Sequence, residues 1–143
     1  MDGRGVLGLP LRIAIAFLII ALFAPSLVNA AESFRDDSDM AEMRNEADKA
    51  ESLAEELWFA GKGSTGTVEL HMQQGYSLTF GGTGADAWSY SIMKGDSVRE
   101  KHFMETPDVR FLGEVFTATG SCVLTMECTT DEEGNYGIRT GYA

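Results

Sequence analysis

Residues 67–80 read TVELHMQQGYSLTF, and the fold turns on this stretch. Val68, Leu70 and Met72 alternate with Thr67, Glu69, His71 and Gln73, and Tyr76, Leu78 and Phe80 alternate with Ser77 and Thr79. A period of two sends alternate side chains to opposite faces, the pattern of half-buried strands and not of a helix. Gln74-Gly75 between the runs is a tight-turn signal, so the sequence predicts a hairpin.

The period continues downstream. After Gly81-Gly82-Thr83-Gly84, Trp88, Tyr90 and Ile92 alternate with Ser89 and Ser91. Lys94-Gly95-Asp96 turns into a strand over 97–104, and Thr106-Pro107-Asp108 closes it. Residues 109–118 read as one strand, bulged at Gly113 where the apolar parity switches. Thr119-Gly120 leads to a strand over 121–130, and the acidic turn 131–135 to another over 136–142. The expected fold is mainly β: an antiparallel β-sandwich or barrel of about seven strands over 64–143. No segment between the strands is long enough for the crossover helices of a parallel sheet.

Upstream, composition changes near residue 61. Between Glu32 and Leu57 ten acids face only Arg35, Arg44 and Lys49, with no Gly or Pro. Asp39, with Glu42 three residues on, forms a capping-box pattern, and Gly61 and Gly63 supply a stop. These signals predict an amphipathic helix over 38–60, within an acidic helix-and-linker region 31–63. Met40, Met43, Ala47, Ala50, Ala54 and Leu57 fall at alternating steps of three and four, the spacing of a helix–helix seam. Three alanines make that seam small in area, so docking on the chain's own domain through Leu53, Leu57, Trp58 and Phe59 is favoured over self-association.

Residues 1–30 look like an export address. Arg4 and Arg12 precede an unbroken apolar run over 13–24; Pro25 should break it, and Val28-Asn29-Ala30 offers small residues for cleavage after Ala30. An uncleaved membrane anchor is the alternative, although spanning takes about 20 apolar residues.

The function classes narrow by chemistry. A formal net charge of −11, from 22 acids against 11 bases, argues against holding a nucleic-acid backbone. Gly82-Thr83-Gly84-Ala85-Asp86-Ala87 resembles a dinucleotide fingerprint, but a strand and not a helix follows it. Gly61-Lys62-Gly63-Ser64 lacks the spacing of a phosphate loop. Asp131, Glu133 and Asn135 have the first three ligand spacings of a calcium loop and none of its later ones, leaving them weak cation candidates. His71 beside Glu69 and His102 beside Glu100 could pair for acid–base work, yet no orienting third group is legible, and no catalytic residue is assigned.

Trp88, Tyr90 and Tyr76 form the candidate binding stripe, a stacking platform if one sheet face lies open. Cys122 and Cys128 share parity on one strand, roughly 20 Å apart at ~3.3 Å per residue, too far for a disulfide, so two buried thiols are expected.

The expectation is an exported, non-enzymatic module with a binding or structural role in the cell envelope or outside it. Its partner would be a protein or a glycan, with no cofactor. Membrane attachment would follow only from an uncleaved signal. The alternatives are a small extracytoplasmic enzyme, a weak cation binder, or a homo-oligomer joined through the helix seam.

Overall fold

The computed structural model describes residues 3–143, with side chains from Pro10 onward. Two compact units divide the chain, one reaching Asp39 and the other spanning Met40–Ala143. Helix α1 runs Gly3–Ala60. Residues 38 and 39 lie within it, so Asp39 is not its cap, and Pro25 lies inside the helix instead of ending it. A proline removes one backbone hydrogen bond and leaves the neighbouring ones standing.

In the first unit the large apolar side chains from Leu11 to Val28 are exposed, and the helix is long and apolar enough to cross a membrane, with a mean hydropathy of 2.4 over its most apolar stretch. The second unit contains everything the β fold uses.

There the helix ends where the glycines require it. Gly61 has φ +96°, its N–H donates to Leu57 O at 3.0 Å, and the Ser64 hydroxyl donates to the same carbonyl at 3.0 Å.

Two four-stranded sheets follow. One has the order β1 (Thr65–His71), β7 (Ser121–Thr130), β8 (Tyr136–Tyr142), β5 (Phe111–Leu112). The other has the order β4 (Ser97–Phe103), β3 (Ser89–Lys94), β2 (Tyr76–Phe80), β6 (Phe116–Thr119).

Three expectations are corrected. β1 and β2 do not form a hairpin: β1 pairs with β7, and β2 with β3 and β6, so the Gln74-Gly75 turn passes between sheets. The single bulged strand over 109–118 is two strands in different sheets, separated by a turn in which Gly113 takes φ +83°. The parity switch marks that change of sheet. The β domain is also not wholly antiparallel, because β5 runs parallel to β8, with Phe111 opposite Ile138.

One core joins both sheets and the helix. Leu70, Leu124, Met126 and Ile138 from the first sheet and Leu78, Phe80, Ile92 and Ala118 from the second are almost fully buried. Met43, Ala47, Ala50, Ala54 and Leu57 complete the same cluster, while Met40 packs at its margin. The small alanine side chains let the helix backbone come close to the strands. Gly66 on β1 extends the same logic, because a Cβ there would lie 2.6 Å from the Leu53 side chain. Leu53 and Trp58 pack on the core as the sequence suggests, but Phe59 faces solvent.

Candidate functional site

The proposed aromatic stripe does not stay together. Tyr76 and Tyr90 are buried at 3% and 6% exposure, as part of the core that the helix and both sheets share. Trp88 precedes β3, at the end of a short 3-10 turn, Gly84–Trp88, and is only half-buried. Leaving the strand takes its ring off the face that Tyr90 and Ile92 share. The Ser89 hydroxyl donates to Asp86 O at 2.8 Å, and the Met104 N–H donates to Trp88 O at 2.8 Å. Both bonds fix the turn that carries Trp88.

Around Trp88 lies an open cleft of about 390 Å³, lined by Ala85, Trp88, Phe103, Met104, Glu105 and Asp108. Phe103, at the end of edge strand β4, is 44% exposed. Each ring already has a cation of the chain against it. The Arg110 guanidinium lies 4.9 Å from the centre of the Trp88 ring, and Lys101 Nζ lies 5.5 Å from that of Phe103. Lys101 is also paired with Asp86 at 2.5 Å. Glu105 and Asp108 are exposed and carry no ion pair among the described residues. The sequence singled out Trp88 alone of this set. Phe103, Glu105, Asp108 and Arg110 lie on a solvent-facing edge strand and the irregular segment after it, where no periodicity marks them.

A second, smaller cavity of about 170 Å³ sits where the helix meets the second sheet, with Arg44, Glu51, Tyr90, Glu100 and His102 around it. The Tyr90 hydroxyl donates to Glu51 Oε2 at 2.9 Å, and His102 Nε2 lies 3.3 Å from Glu51 Oε1. Arg44 pairs with Glu100 at 2.7 Å. His102 therefore meets a helix carboxylate and not its sequence neighbour Glu100.

Burial, the hydrogen bond to Glu51 and nearby carboxylates push the Tyr90 hydroxyl far above its ordinary range, so it keeps its proton as a donor. Glu55, one turn on, is raised by burial and by the charge and hydrogen bond of Glu51. The chemistry here is that of a latch: one carboxylate holds two side chains of β3 and β4 to the helix.

On the other sheet, Glu46 accepts the His71 backbone N–H at 2.9 Å, and Glu42 accepts from Gln73. A carboxylate on an edge-strand N–H occupies a group that would otherwise be open to pairing. Burial pushes the Glu46 carboxyl up, but the hydrogen bonds from Lys49 and His71, with their charges, outweigh it and hold the group below its usual range. His71 itself is exposed, with Nε2 3.3 Å from Glu69 and Nδ1 3.1 Å from Ser121 Oγ.

The hairpin tip brings Asp131, Glu133 and Asn135 together, but in their own network. Asp131 Oδ1 accepts the N–H groups of Glu133 and Asn135 at 3.0 and 2.8 Å, and Oδ2 accepts the Asn135 amide at 3.0 Å. The Asn135 side-chain bond leads the effects that hold Asp131 below its usual range. Its oxygens fix the turn. Among the described residues no group of three or more His, Cys, Asp or Glu is arranged to hold a metal ion.

Cys122 and Cys128 are free thiols, the first half-buried and the second fully buried. No protein-family model matches the chain, and neither the curated proteins nor the solved structures show a significant match to it.

Proposed function

We propose that this chain is an exported, non-enzymatic β-sandwich module that acts by binding, in the cell envelope or outside it, with the Trp88 cleft as its binding surface. Residues 1–30 would serve as the signal peptide, with cleavage after Ala30 leaving a mature chain that starts at Ala31. The β-bearing unit begins only at Met40, so the cleavage removes nothing that its core uses. One observation carries the binding role: a half-buried Trp and a 44% exposed Phe line an open cleft beside two unpaired carboxylates. An indole and a phenyl ring presented together at one open cleft offer a partner apolar area to cover, with carboxylates beside it to fix orientation.

Two measurements test the reading. Intact mass of the protein recovered from producing cells should correspond to a chain beginning at Ala31; a full-length mass would sink the export cleavage. Sedimentation with isolated envelopes should retain the wild type and lose Trp88→Ala with its circular dichroism unchanged. Equal retention of both would remove the cleft from the function.

A further inference from the structure

We infer that the Trp88 cleft recognises a cationic side chain, an arginine or lysine presented by a segment of a partner protein. The inference rests on the binding reading above and names its ligand. Its first support is the charge of the lining: Glu105 and Asp108 project from the wall, and no lining residue is basic. An anion would meet two carboxylates on a chain of net charge −11. A neutral sugar needs donors as well as acceptors, and the lining side chains offer one donor, the Trp88 indole N–H.

The second support is the behaviour of the two aromatics. Trp88 already carries Arg110 over its ring at 4.9 Å, and Phe103 carries Lys101 at 5.5 Å. Both rings thus stand in a setting where a cation lies against a π face. A guanidinium entering the cleft would meet Glu105 and Asp108 with its N–H groups, and these two carboxylates, with Asp86 already paired to Lys101, offset its repulsion by the resident Arg110 and Lys101. The openness of the cleft, with Phe103 exposed at its edge, suits a side chain delivered by another protein better than an enclosed small molecule.

The test uses the full chain, isotopically labelled, in neutral detergent micelles. Trp58 and Trp88 are its two tryptophans, so their indole N–H signals are assigned by the loss of one in Trp88→Leu. The probes are acetyl-Gly-Arg-Gly-amide, the same peptide with citrulline for arginine, and cellobiose. The arginine peptide should shift the Trp88 indole signal saturably, and the citrulline peptide should not. Glu105→Gln with Asp108→Asn should weaken binding by about tenfold or more, and added salt should weaken it further.

Equal binding of the citrulline peptide, or full affinity in the double variant, would overturn the cationic ligand and leave the cleft a binding site. A shift with cellobiose alone would do the same. Arginine-peptide shifts spread over the acidic helix and unchanged in Trp88→Leu would overturn the inference as general charge attraction. Silence with every probe would overturn it too; joined to equal envelope retention of wild type and Trp88→Ala, it would end the binding reading as well.

Discussion

Replacing Gly137 with alanine tests how β5 is held, and with it the placement of Arg110. A Cβ on Gly137 would lie 2.4 Å from the Arg110 carbonyl oxygen and 2.9 Å from the Leu112 side chain, where ordinary contact begins near 3.4 Å. The obstructing atom is backbone, so β5 and β8 must part by about 1 Å. Parting them strains the bond from the Ile138 N–H to Arg110 O, now 2.7 Å, whose net worth is about 0.5–1.5 kcal/mol.

It also loosens Phe111 and Leu112, exposed by only 4% and 6%, each worth about 1.5–3 kcal/mol when fully buried. Losing the bond and part of that burial gives a destabilisation of about 2–4 kcal/mol. Thermal unfolding followed by circular dichroism should show Tm lowered by about 8 °C or more. Because Arg110 adjoins β5, Trp88 fluorescence should change before global unfolding. Gly66→Ala is the control: its nearest neighbour is the end of the Leu53 side chain, which can turn aside. A Gly137→Ala protein within about 0.5 kcal/mol of wild type, or one more stable than Gly66→Ala, would refute the reasoning.

Other predictions follow from the helix and the thiols. Leu57→Glu places a carboxylate where the side chain is 5% exposed and should cost about 3 kcal/mol or more; the loss should be the same over a roughly hundredfold range of protein concentration, whereas a concentration-dependent Tm would assign the seam to self-association. Glu55 has its native pKa above the ordinary 4.5, so its ionisation opposes folding as pH rises through that native value. Glu55→Gln should therefore raise Tm at neutral pH, with the gain vanishing below the ordinary value; a gain that persists in acid would contradict the assignment. Glu46 has the opposite sign, stabilising above its unfolded pKa and losing that contribution as pH falls, so Glu46→Gln should lower Tm at neutral pH and converge with wild type in acid. A thiol reagent should label Cys122 slowly and Cys128 only on unfolding, and non-reducing mass spectrometry should find both as thiols; a mass two hydrogens lower would refute this.

Periodicity by itself determined most of the strands of this protein and the C-terminal part of its helix. Alternation at steps of two is a local property, so residues 76–80, 121–130 and 136–142 were legible as strands without knowing their partners. The stop at Gly61, the one-sided helix seam and the irregularity at Gly113 were legible for the same reason. Pairing is not local. Only the tertiary structure decided that β1 belongs with β7 and not with β2, that residues 109–118 serve both sheets, and that the alanine seam lies against this chain's own strands. The candidate site divides the same way. Trp88 stood out as part of an alternating aromatic stripe that the structure takes apart, while Phe103, Glu105, Asp108 and Arg110 acquire meaning from an edge strand and an irregular segment folding back against a 3-10 turn. Sequence sets which face of each element seeks burial; which faces meet depends on close packing of the whole core, and that closure placed the cleft at its edge.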